Sequence, residues 1–197
     1  MANTAQRTFI LASASPRRRE LLLSLGYRFV VQAADIDESV WPEEQPEAHV
    51  QRLALTKAQA VAAQQPQAAV LAADTIVVNA GQILGKPRDA THAEHMLREL
   101  SATRHQVHTA IALAIDGKHQ VQLQSSWVQF RPLRHAEIAA YVASGEPMDK
   151  AGAYGIQGQA GRFVLEMQGS YTGIMGLPLC QTEQLLSDAG LRPGSYE

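Results

Sequence analysis

Cysteine is almost missing from this chain. Cys180 is the only one in 197 residues, so no internal disulfide can form and a reducing compartment suits the protein. Long apolar runs are missing too. The stretch from Phe9 to Ala12 is too short for a signal-peptide core, and none elsewhere reaches the length a bilayer demands. These absences lead us to expect a soluble, cytoplasmic protein with no membrane partner. An excess of one charge is likewise lacking: 17 Lys and Arg face 19 Asp and Glu, for a formal net charge of −2. No global field therefore draws the chain to a nucleic acid polymer, and any recognition of phosphate must be local. What is present, 46% hydrophobic and 18% charged residues, is a globular composition that suits one substantial core. We expect a single domain over residues 1–197 with its core at about 8–190.

Ser13-Ala14-Ser15-Pro16-Arg17-Arg18-Arg19 lies between a short apolar strand candidate, Thr8 to Ala12, and a leucine-rich helix candidate, Glu20 to Leu25, with Gly26 as its stop. Ser15 suits an N-cap and Pro16 a first helical residue. Three arginines then stand where the helix dipole favours acids. Either they form a solvated basic turn, or serine hydroxyls, free backbone N–H groups and guanidinium groups together bind phosphate. Tyr27 to Gln32 reads as a strand. It is followed by Asp35, Asp37 and Glu38, which form either a solvated loop or a metal-binding edge.

Pro46 to Gln64 has the clearest helical period, with Val50, Leu53, Ala54, Ala58 and Val61 on one stripe. Lys57 falls on that stripe, so it must either snorkel or hold a buried anion. Val70 to Val78 reads as an interior strand that Asp74 interrupts. A carboxylate there must be paired, hydrogen-bonded or bound to metal, which makes Asp74 the first candidate for a catalytic or metal-binding acid. Gly81 to Pro87 misses the nucleotide-binding P-loop by one residue, and Pro87 has no hydroxyl to offer magnesium. Lys86 then stands either as an exposed turn residue or as an isolated phosphate contact.

Ala90 to Leu100 reads as a helix whose His92 and His95 lack zinc-site spacing. Val107 to Ile115 and Val121 to Phe130 read as a hairpin about Asp116-Gly117, and Arg134 to Ser144 as a helix. Glycine then recurs at every third position from Gly152 to Gly161, disfavouring a regular helix. Gln157, among small residues, offers a donor and an acceptor suited to the edge of a pyrimidine base. Arg162 to Met167 reads as a strand, Gly169 to Gly173 as a loop, and Leu177 to Ala189 as a last helix before a frayed tail from Arg192. This alternation predicts an α/β protein with a mixed sheet.

Taken in order, Ser13 to Arg18, Asp35 to Glu38, Ala73-Asp74-Thr75, Gly85-Lys86-Pro87, Asp149 to Gly158 and Gly176 to Leu179 resemble the Maf family of nucleotide pyrophosphatases over nearly the whole chain. The resemblance implies an elongated, inosine triphosphatase-like mixed sheet flanked by helices, with two lobes around a central cleft and often a homodimer. It implies hydrolysis of a nucleoside triphosphate to monophosphate and pyrophosphate in a house-cleaning role, with a divalent cation (Mg²⁺ or Mn²⁺) as cofactor. By that likeness Asp74 accepts a proton from water, and Glu38 holds the metal with it or helps activate the water. Ser13, Arg17, Arg18, Lys57 and Lys86 look like phosphate contacts. Arg17, Thr75 and Gln157 bear on specificity, as in the branch acting on dTTP and UTP and on modified pyrimidine nucleotides. No catalytic residue is expected in Thr172 to Met175, and Arg19 is expected to be solvated.

The competing reading is a non-catalytic nucleotide sensor, which needs the basic pocket but gains nothing from acids beside a polyanion. Chemistry through Cys180 is poorly supported, because no histidine is near it in sequence and Leu179-Cys180 reads as packing.

Overall fold

The structure, a computed structural model, describes residues 7–194. In chain order its elements are β1 (Phe9–Leu11), α1 (Pro16–Ser24), β2 (Val30–Val31), α2 (Pro46–Gln64), β3 (Ala69–Asn79), β4 (Gln82–Leu84), α3 (Ala90–Leu100), β5 (Arg104–Ile115), β6 (Lys118–Phe130), α4 (His135–Ala143), β7 (Val164–Gln168), α5 (Tyr171–Met175) and α6 (Leu179–Asp188). Three short 3-10 turns, Glu146–Asp149, Ala151–Ala153 and Gln159–Phe163, carry the glycine-rich stretch.

The sheet has seven strands in the order β2-β1-β3-β5-β6-β7, with β4 paired to the far end of β3. Strand β1 runs parallel to both its neighbours, and every later pairing is antiparallel. The mixed α/β sheet expected from the alternation is therefore what forms.

Alternation along β3 separates its two faces. Val70, Ala72, Ile76 and Val78 pack with Val50, Ala54, Ala58 and Val61 of α2. On the other face Leu71 and Ala73 meet Leu21 and Leu22 of α1 and Leu185 and Leu186 of α6. Farther along, Val77 enters a third cluster with Leu97, Phe130, Tyr141 and Phe163, built on α3 and α4. Asp74 thus falls on the α2 face and Thr75 on the opposite one.

The pairing of β3 contains a gap that matters. Strand β1 pairs only from Ala69 to Leu71, and β4 only from Val77 to Asn79. Between them one edge of β3, including Asp74 and Thr75, has no strand beside it among the described residues. This opening sits past the carboxyl end of β1, where sheets of this class place their ligands.

Several expectations are corrected. The strand predicted over Tyr27 to Gln32 shrinks to Val30–Val31, because its partner β1 is itself only three residues long. Tyr27 instead turns inward, edge-on to Phe9 at 5.8 Å between centroids. The loop predicted over Gly169 to Gly173 contains α5, capped by the Ser170 hydroxyl accepting from Gly173 N at 2.9 Å. Its short, glycine-containing sequence hides that helical turn. Cys180 is exposed instead of packed. The tail is tied at Gly194, whose N–H donates to Gly26 O at 3.0 Å, while residues 195–197 lie outside the described part. No helix among the described residues is long and apolar enough to cross a membrane.

Candidate active site

The gap beside β3 opens into a cleft of about 800 Å³, within the range of small-molecule sites. Ser13, Arg17, Arg18, Glu38, Lys57, Asp74, Thr75, Lys86 and Gln157 all line it. Separate elements deliver them. The β1–α1 turn brings Ser13 and the arginines, α2 brings Lys57, β3 brings Asp74 and Thr75, and the turn after β4 brings Lys86.

At the floor, Lys57 Nζ donates to Asp74 Oδ1 at 2.6 Å and pairs with Glu38 Oε1 at 2.7 Å. Lys57 and Asp74 are 8% and 6% exposed, whereas the Glu38 side chain is about half exposed. The lysine on the apolar stripe therefore holds a buried anion, and that anion is Asp74. The buried acid is in turn satisfied by a lysine, not an arginine. Burial pushes the Glu38 carboxyl upward, but the Lys57 hydrogen bond and charge, joined by Lys86 and Arg18, outweigh it and hold the group below its ordinary value.

Arg18 is turned into the protein. Its Nε donates to Gly176 O at 2.8 Å, and its two terminal nitrogens reach Thr75 Oγ1 at 3.0 Å and Ser13 Oγ at 3.4 Å. Burial draws its pKa below the usual guanidinium value, against the opposing pull of Asp74. Thr75 Oγ1 lies 3.0 Å from Thr109 Oγ1, which donates to Gly173 O at 2.7 Å. A polar chain therefore ties α1, β3, β5 and α5 together. Arg17 points the other way and meets Asp149 at 3.2 Å, and Asp149 also accepts from Lys150 Nζ at 2.6 Å.

Of the acidic cluster, only Glu38 reaches this floor; Asp37 instead accepts from Ser39 N and Oγ, both at 2.9 Å. His92 and His95 stay with their own surroundings, His92 accepting from Arg88 N and His95 near Glu99. Among the described residues no group of three or more His, Cys, Asp or Glu side chains could hold a metal by itself. Two carboxylates suffice where substrate phosphates complete the shell. Sequence reasoning missed Glu146 and, although Asp149, Lys150 and Gly176 stand in the motifs, gave no role to those two side chains or to the Gly176 carbonyl. All four sit in turns with no periodic pattern, and one of them is a backbone atom that no side-chain motif encodes.

A family model described as Maf-like protein matches residues 8–189. The chain belongs to the Maf-like family. A dTTP/UTP pyrophosphatase of Hahella chejuensis is 51% identical over 96% of both chains. A dTTP/UTP pyrophosphatase of Pectobacterium atrosepticum is 54% identical over 92% of this chain and 93% of that one. Among solved structures, a HAM1 protein from Coxiella burnetii is similar in fold, with a TM-score of 0.54 and 19% identity over 92% of this chain and 99% of that one. This Maf-like chain therefore matches these relatives over nearly their whole length, and its cleft lies where its own motifs meet.

Proposed function

We propose that this Maf-like protein hydrolyses dTTP and UTP between the α and β phosphates, consuming one water and releasing a nucleoside monophosphate and pyrophosphate. The observation that carries the proposal is the convergence of Arg17, Lys57 and Lys86 with Asp74 and Glu38 on one cleft. The names of the relatives, dTTP/UTP pyrophosphatase, supply the substrate and agree with that chemistry.

Polyphosphate cleavage asks the protein for positioning and charge compensation. Arg17, Lys86 and the β1–α1 turn supply these for the phosphates. Asp74 holds the attacking water and takes its proton, and Lys57 keeps that carboxylate aimed into the cleft. Arg18 braces Ser13 and Thr75 and thereby fixes the turn that meets the phosphates. Gln157, exposed on its loop at the cleft, reads the edge of the base by donating and accepting one hydrogen bond each.

The donor set fits a hard divalent cation such as Mg²⁺ or Mn²⁺, in keeping with a family that is generally metal-dependent. Pairing with the one Lys57 Nζ, at 2.6 and 2.7 Å, brings the Asp74 and Glu38 carboxylates side by side at the cleft floor, and these two residues would hold the ion. When bound, such an ion offsets phosphate charge and makes water more acidic.

The test is turnover of dTTP, UTP, CTP and GTP with Mg²⁺ or Mn²⁺ by the wild type and by Asp74→Asn. Turnover favouring dTTP and UTP, lost in a folded Asp74→Asn protein that still binds dTTP, is the expected result. Tight triphosphate binding by the wild type with no turnover under any metal condition would establish the sensor instead.

A further inference from the structure

Gln157 stands at the apex of a short loop, and the cleft alone does not explain what holds that loop in place. Two backbone N–H groups pin it, one on each side of the apex. On the near side the Gly155 N–H donates to Tyr141 Oη at 3.3 Å. On the far side the Gln159 N–H donates to both oxygens of Glu146, each at 3.1 Å. The two anchors are themselves joined, Tyr141 Oη donating to Glu146 Oε1 at 3.0 Å.

The backbone also sits directly on these side chains. A Cβ at Gly158 would overlap the Glu146 carboxylate, and one at Gly155 would lie 2.8 Å from Lys150 Cε. Lys150 Nζ in turn donates to Glu146 O at 2.5 Å. The Tyr141 ring is locked from behind by Phe163, edge-on at 5.4 Å between centroids, and is fully buried. Tyr141 belongs to α4 and Glu146 to the turn after Gly145, a residue held at φ 76°. A helix and the turn after it thus present three oxygen atoms to the loop, and the loop carries one glutamine forward into the cleft.

We propose that the Tyr141–Glu146 pair is a positioning device for base selection, with Glu146 as a positioning residue that acts through Gln157 and touches neither phosphate nor base. This rests on the reading of Gln157 given above. Loss of the clamp leaves the phosphate machinery intact but lets Gln157 wander, so the penalty falls on binding of the favoured base and not on the chemical step.

The experiment measures kcat and KM for dTTP and for CTP in the wild type, Gln157→Ala, Glu146→Gln and Tyr141→Phe. Thermal melts confirm folding. Tyr141→Phe keeps the ring on Phe163, so it decides the matter if Glu146→Gln unfolds. All three variants should lose about fivefold or more of the dTTP preference through KM, the scale of one or two lost hydrogen bonds, with kcat near the wild-type value. If Gln157→Ala loses the preference while folded Glu146→Gln and Tyr141→Phe retain it, the positioning role is overturned and the reading of Gln157 stands. If Gln157→Ala itself retains the preference, or the wild type has none, both fall.

Discussion

Lys57 carries its charge into a helix face otherwise built of Val50, Ala54, Ala58 and Val61. Removing it strands Asp74 without a partner. Lys57→Met should therefore destabilise the protein by about 3 kcal/mol, the low end for breaking a buried pair, because half-exposed Glu38 is relieved by water. Chemical denaturation checks this, and the double variant with Asp74→Asn should recover most of the loss. Asp74→Asn alone should lower kcat by about 10²–10⁴, the usual contribution of a positioned general base. Blocking the exposed Cys180 thiol should leave the rate unchanged. Lys57 and Asp74 were legible in the sequence because each breaks a strong apolar pattern. Glu146 breaks no pattern and lies outside the motifs, while Asp149 and Lys150 open a motif that gives neither side chain a role of its own.

The segment from Gln32 to Gln45, which carries Glu38, is moored to α2 by Glu44. Arg52 donates to both Glu44 oxygens at 2.6 and 2.7 Å, and His49 Nδ1 lies at 2.8 Å. The Arg52 hydrogen bonds, aided by His49 and the Trp41 N–H, pull the Glu44 pKa down to about 2. A folded-state pKa below the unfolded one means that the unfolded chain binds the extra proton. The mooring therefore stabilises fully above about 4.5 and is lost as pH falls toward about 2. Acid unfolding followed by circular dichroism should show Glu44→Gln less stable than wild type at pH 7, with the difference shrinking across that window. A second element contact is equally exposed to test. Gly152, at φ 67°, lies where a Cβ would meet Val77 Cγ2 at 2.8 Å. Gly152→Ala should cost about 1–3 kcal/mol through that overlap, read from the denaturation midpoint. Helix α2 and the β5–β6 hairpin were legible because long periodic segments and a strong turn dictate their own form. The extent of strand β2 and the presence of helix α5 were not, since partner length and a single serine cap set them.

Across the whole molecule the decisive feature is the unpaired stretch of β3 between β1 and β4, and no local pattern announces it. It follows from strand lengths and order, which only the folded sheet reveals. The motifs could be recognised in sequence as belonging together, but their meeting at one cleft is a property of topology. The chain as a whole is slightly acidic, yet Arg17, Arg18, Lys57, Lys86 and Lys150 gather at that cleft. KM for a triphosphate should consequently rise as salt shortens the screening length from about 10 Å at 0.1 M to about 3 Å at 1 M. The central claim is that Arg17, Lys57 and Lys86 act together with Asp74 on one triphosphate, cleaving it between the α and β phosphates. Phosphorus NMR of the products from dTTP tests it most directly: dTMP and pyrophosphate in equal amounts are expected, and dTDP with orthophosphate would contradict it.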